Sequence, residues 1–140
     1  MFDFLAREQP GRGSLAREYP VVESWFGFSL VQWTNTGTIW GLGKDFNGAL
    51  IGLRFFALAL LLVFVARTPR TDRLQQFVLG LIFAGAVGNL YDNLFEENRA
   101  VRDFLKFFIP HSDGTQSVFP AFNVADSCIC VGAILLAVIL

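Results

Sequence analysis

Apolar residues in this chain fall into long blocks parted by short polar stretches, and block length sets the first reading. Residues 46–66, FNGALIGLRFFALALLLVFVA, form one block, interrupted inside by Arg54. Residues 74–94, LQQFVLGLIFAGAVGNLYDNL, form a second, and residues 121–140 a third that starts near Ala121 or Phe122. A helix needs roughly 20 apolar residues to cross a bilayer core, so the pattern predicts three transmembrane helices. The linker RTPRTDR sets Arg67, Arg70 and Arg73 against Asp72, and a short basic loop of this kind stays cytoplasmic. Residues 25–45 and the 95–120 loop are thereby placed on the outer side. Upstream, residues 21–40 change period: Phe26, Phe28 and Leu30 alternate with Trp25, Val31 and Trp33, which predicts a strand pair or small sheet. Its three tryptophans suit the headgroup level, and Asn35, Thr36 and Gly37 would supply its turn. Residues 1–20 mix charges with Pro10, Gly11 and Gly13 and read as a polar N-terminal arm without an apolar leader core. The 95–120 loop holds VRDFLKFFI, a short amphipathic segment suited to the interface.

The fold expected is an all-α integral membrane bundle with three transmembrane helices in this chain and a small extracytoplasmic β-sheet, residues 21–140 forming one membrane domain. Composition agrees: 54% of residues are hydrophobic and 16% charged, too apolar for a water-soluble domain of 140 residues. Eleven basic against twelve acidic residues leave no basic stripe, which excludes a nucleic-acid partner. Cys128 and Cys130 lie two apart on a predicted helix, point in different directions and read as packing residues.

Charged groups in such a chain are the places to look for chemistry, because an ionisable side chain at membrane depth costs several kcal/mol. Asp126 heads the last apolar block, Asp92 ends the second, and Asp103 sits in the outer segment between them. Asn89 with Asp92, and Asn123 with Asp126, are each three apart and would share a helix face. Gly80, Ala84 and Gly88 form a small-residue stripe for close helix packing. Two carboxylates in a partly dry site cannot easily both ionise; they share a proton and can work as base and acid on a peptide carbonyl. The pattern leaves Asp103 with Asp126 and Asp92 with Asp126 both open, beside carboxylates that only tie helices together. His111 reads as a loop residue, and Ser127 has no evident base.

The segments NTGTIWG (35–41), GNLYDN (88–93), VRDF (101–104) and FPAFNVADS (119–127) resemble, in order and spacing, the motifs of bacterial lipoprotein signal peptidase, or signal peptidase II. The resemblance covers roughly residues 21–140. It implies an intramembrane aspartic endopeptidase of the bacterial cytoplasmic (inner) membrane, active at the extracytoplasmic face, with no metal or organic cofactor. Its substrate would be a diacylglyceryl-prolipoprotein, cut just before the lipidated cysteine, with membrane lipid as the other partner. On the matching motifs the catalytic residues would be Asp103 and Asp126, and the supporting or substrate-binding residues Asn35, Gly37, Asn89, Asp92 and Asn123. Three departures stand out: the family's first transmembrane helix has no counterpart in the polar arm, the arginine usual after the GNxxD aspartate is Asn93, and the NxG segment carries the bulkier Thr38, Ile39 and Trp40. The same residues admit two alternatives. One is a degenerate lipopeptide-binding paralogue; the other is a proton-conducting membrane subunit using Asp92 and Asp126 as relays.

Overall fold

The computed structural model describes residues 18–23, 25–35, 47–96 and 99–140. In chain order its elements are β1 (Glu18–Glu23), β2 (Gly27–Asn35), α1 (Asn47–Arg67), α2 (Arg73–Phe95), β3 (Val101–Pro110), β4 (Gln116–Val118) and α3 (Val124–Ile139). They fall into two units, a helical one and a sheet.

In the helical unit, α2 packs against both α1 and α3. Among the described residues two helices are long and apolar enough to cross a membrane, Gly48–Arg67 and Arg73–Phe95. Most side chains of α1 stay outside a protein core, with Leu58 a buried exception: Leu53, Phe55 and Val63, on different sides of the helix, are all exposed. A helix that is apolar all round and yet uncovered by protein belongs in lipid rather than in water. The third predicted span is shorter than expected. α3 has 16 residues, about 24 Å at the helical rise, against a bilayer core of roughly 30 Å.

The turn between α1 and α2 is closed by side chains. Pro69 cannot continue α1, and the Asp72 carboxylate caps α2 by accepting from Gln75 N at 3.1 Å. Gln76 Nε2 then donates to the carbonyls of Val65 and Thr68, at 3.2 and 2.8 Å, the first of which also accepts from Thr68 N at 3.3 Å.

Close packing of α2 on α3 rests on glycine, and of the predicted stripe it uses Gly88. Gly80 and Ala84 are exposed, and nothing lies within 4 Å of where a Gly80 Cβ would sit. The contact is made instead by Gly85 and Gly88 from α2 and Gly132 from α3. A Cβ on Gly85 would stand 2.4 Å from the Ala125 carbonyl oxygen, and one on Gly132 would stand 2.5 Å from Ile82 Cγ1.

The second unit is a four-stranded sheet in the order β1-β2-β3-β4, so the chain is helical plus β rather than all-α. β1 and β2 are antiparallel, with a register shift between Pro20 and Val22. The first strand therefore begins inside the stretch read as a polar arm, and of the predicted turn only Asn35 lies among the described residues, at the end of β2. Period-2 alternation in β2 holds: Gly27, Ser29 and Val31 are buried, while Phe28 stacks on Phe107 with centroids 5.0 Å apart. Phe26 and Phe122 stack on the same Phe107 ring. The segment VRDFLKFFI, read as an amphipathic piece of an outer loop, is most of β3. Lys106 on β3 pairs with Glu18 on β1 at 2.8 Å and also covers the Phe108 ring.

The β3–β4 hairpin turns at Gly114, whose φ of +81° suits a residue without a side chain. Asp113 Oδ1 accepts from Thr115 Oγ1 at 2.6 Å and from Thr115 N at 2.9 Å. The hydroxyl bond first, and the backbone bond next, hold the Asp113 carboxyl below its usual range.

Candidate active site

In the sheet unit, β3 carries Asp103, 4% exposed. Its setting is created by backbone pairing further along. Phe104 N and Leu105 N both donate to the Phe122 carbonyl, and Phe122 N donates to Leu105 O at 3.0 Å, an isolated antiparallel bridge. Asn123 follows directly. Its Nδ2 donates to Asp103 Oδ1 at 3.1 Å and to the Arg102 carbonyl at 3.2 Å. α3 begins at Val124, so Asn123 stands immediately before the helix, and its side chain reaches back to Asp103.

In the helical unit, Asp126 lies in the first turn of α3, where a negative charge is favoured by the unpaired N–H groups of the helix start. Asn89 Nδ2 on α2 donates to Asp126 Oδ1 at 2.7 Å. Glycine makes this reach possible. Gly85 stands one turn before Asn89 and Gly88 beside it, and both lie against Ala125, the neighbour of Asp126.

The end of α2 is a polar cluster in an otherwise apolar helix: Asn89, Asp92 and Asn93 are all buried. Buried polar groups must be hydrogen-bonded, and Arg54 from α1 meets part of that need. Its Nη1 donates to the Asn89 carbonyl at 3.2 Å and to Asn93 Oδ1. Asn93 Nδ2 in turn donates to the Arg99 carbonyl at 2.6 Å. Arg99 itself takes a positive φ of 54°, uncommon for a residue with a side chain. A guanidinium therefore does stand at position 93, delivered by Arg54 rather than by the residue after Asp92. Sequence reasoning noticed Arg54 but not its partner. The signal was present, because Asn89 and Asn93 are four apart and share a helix face.

Among the remaining predicted residues, Asn35 is half-buried at the end of β2, and Gly37 lies outside the described residues. His111 Nε2 is 2.8 Å from Ser117 Oγ across the exposed β3–β4 hairpin, a local contact at the tip. Among the described residues no three His, Cys, Asp or Glu side chains are grouped to hold a metal ion.

Asp103 and Asp126 each accept from an asparagine amide within the same unit, and a neutral amide orients a carboxylate without cancelling its charge. The family model for signal peptidase (SPase) II matches residues 5–140. The chain belongs to the signal peptidase II family. That match begins well inside the stretch read as a polar arm, upstream of the residue 21 at which the motif resemblance starts. Among curated relatives, the lipoprotein signal peptidase of Clostridium acetobutylicum is 30% identical over 122 residues, covering 87% of this chain and 74% of the relative. That of Clostridium tetani is 32% identical over 127 residues, covering 91% and 76%. A bacterial membrane enzyme solved by the in meso method at 2.3 Å resolution superposes with a TM-score of 0.62 at 25% identity, over 87% of this chain and 69% of the other. A second such structure at 1.9 Å gives a TM-score of 0.61.

Proposed function

We propose that this signal peptidase II removes the signal peptide from diacylglyceryl-modified prolipoproteins by aspartic chemistry, with Asp103 and Asp126 as the two carboxylates. The family match across residues 5–140 carries the function. The residue assignment is supported by the two amide brackets, Asn123 on Asp103 and Asn89 on Asp126. In this reading one carboxylate accepts a proton from a water as that water attacks the scissile carbonyl. The other carboxyl, protonated, donates to the carbonyl oxygen as the tetrahedral intermediate forms. Collapse returns a proton to the leaving amine nitrogen and frees the lipidated cysteine as the new N-terminus. Asp92 has the supporting place, inside the polar end of α2.

The membrane setting belongs to the same proposal. α1 and α2 cross the inner membrane, α3 enters it as a third and shorter apolar helix, and the chemistry occurs at the extracytoplasmic face. A lipid-anchored cysteine is presented only at that surface, so binding the acyl chains in lipid already fixes the peptide bond near its catalyst.

The test is cleavage of a diacylglyceryl prolipopeptide by the purified chain and by Asp103→Asn and Asp126→Asn. Each substitution keeps shape and removes the titrating group. Each is expected to lower turnover by at least about 10²–10⁴-fold while the protein stays folded. Ordinary turnover by either variant refutes the assignment. Binding of the lipopeptide by the parent chain without cleavage would favour the non-enzymatic reading.

A further inference from the structure

An arginine inside an apolar span is the least expected charge in this chain, and its surroundings suggest what holds it there. Such an arginine is costly to insert unless it is held by polar partners. Arg54 is only half-buried, on a helix whose neighbouring positions Leu53, Phe55 and Phe56 are exposed. Its guanidinium is nevertheless spent on α2, at two positions one turn apart: the Asn89 carbonyl and the Asn93 side chain. Both partners carry a second bond in a different direction. The side chain of Asn89 holds Asp126, and that of Asn93 holds the Arg99 carbonyl, two residues before β3 begins.

We infer that Arg54 is a positioning residue for hydrolysis, acting on Asp126 through Asn89 and on the chain after α2, at the Arg99 carbonyl, through Asn93. A single planar cation with several fixed donors can hold a carbonyl and an amide oxygen at once, which an ammonium does with less geometric definition. With the last turns of α2 clamped to α1, the Asn89 amide stays on the line that gives its 2.7 Å bond to Asp126. Without the clamp the Asn93 amide keeps its bond to the Arg99 carbonyl but loses its acceptor-side partner, and the α2 terminus loosens. Remote contacts of this type act on rate because small misplacements at the reacting groups are expensive.

The inference rests on Asp126 being catalytic, so Asp126→Asn is measured in the same series. Steady-state cleavage of a diacylglyceryl prolipopeptide is followed for the parent, Arg54→Gln, Arg54→Lys, Asn93→Leu and the double variant Arg54→Gln/Asn93→Leu, each with a thermal melt in detergent. Arg54→Gln is expected to lower kcat about 10–100-fold with KM within twofold, since it leaves substrate contacts alone. Arg54→Lys should recover part of that loss. The double variant should fall no lower than the worse single one, because both break one linkage. A parental kcat in Arg54→Gln overturns the inference, as does a loss confined to KM, a loss that follows the melting temperature alone, or additive effects in the double variant. Should Arg54→Gln fail to fold, Asn93→Leu decides by itself, since it removes the acceptor while retaining the cation; parental kcat there is a refutation. If Asp126→Asn is fully active, the catalytic assignment fails, whereas an inactive Asp126→Asn beside a fully active Arg54→Gln sinks the positioning role alone.

Discussion

Replacing Gly85 by alanine tests how closely the α2–α3 contact governs activity. The added methyl would lie 2.4 Å from the Ala125 carbonyl oxygen, 2.8 Å from Ile129 Cγ1 and 3.2 Å from Cys128 Cβ. The nearest of these is backbone in the first turn of α3 and cannot rotate away. Restoring ordinary contact, at about 3.4 Å, requires the helices to part locally by about 1 Å. The bond from Asn89 to Asp126, 2.7 Å long, would then lengthen to about 3.7 Å, beyond hydrogen-bonding range. Overpacking of this size typically destabilises by 1–3 kcal/mol, and a misplacement of about 1 Å at reacting groups lowers rate by about 10²-fold. Gly80→Ala on the same helix is the control, because open space surrounds that position. Thermal melts in detergent with kcat for a lipopeptide substrate should show Gly85→Ala impaired in both and Gly80→Ala parental in both. Parental stability and turnover in Gly85→Ala would mean that α3 does not approach α2 as described.

Two further expectations concern the sheet. Ser29 Oγ is fully buried on β2 without a hydrogen-bond partner, so Ser29→Ala should raise stability by about 1 kcal/mol, read as a higher melting temperature; a drop of that size would reveal a partner for the hydroxyl. The lowered Asp113 pKa means that its carboxylate supports the hairpin fully above the ordinary value of 3.8, and that this support is lost as pH falls through the lower folded value. Thr115→Val removes the larger of the two causes, so an NMR titration of Asp113 should move up toward 3.8, and an unmoved titration would reject the hydroxyl bond as the cause.

The helices α1 and α2 were legible because long apolar blocks admit few other fates, and β2 because its alternation is regular over Phe26 to Val31. Strands β1 and β3 were not read as strands, for a physical reason. EYPVVE is short, carries Pro20 and sits beside a polar stretch, so nothing local separates it from a loop. VRDFLKFFI is apolar enough at several spacings to suit an interfacial segment, and what makes it a strand is its neighbours, β2 on one side and β4 on the other. Those partners are remote in sequence, and local period cannot report them. The glycine interface failed similarly. A four-residue spacing picked out Gly80, Ala84 and Gly88, whereas the face that meets α3 is set by Gly85 and Gly88, and choosing between two small-residue faces requires knowing where the other helix lies.

The candidate site shows the same division between residue type and partnership. Composition pointed to Asn89, Asp92, Asp103, Asn123 and Asp126 as polar groups too costly to bury without purpose, and all but Asp126, which is half-buried, are buried. Spacing then suggested that each asparagine serves the aspartate three residues after it. Hydrogen bonds also run over longer ranges, Asn123 to Asp103 and Asn89 to Asp126. This crossing has a mechanical consequence. An asparagine paired with its own helical neighbour only stiffens one helix, whereas an asparagine reaching a carboxylate on another element makes that carboxylate's direction depend on the packing between elements. The bond from Asn89 to Asp126 therefore depends on the register of α2 and α3, and that from Asn123 to Asp103 on the bridge between Leu105 and Phe122. Glycine at 85 and the guanidinium of Arg54 act on that register from two sides, one by letting α3 approach and the other by fixing the end of α2.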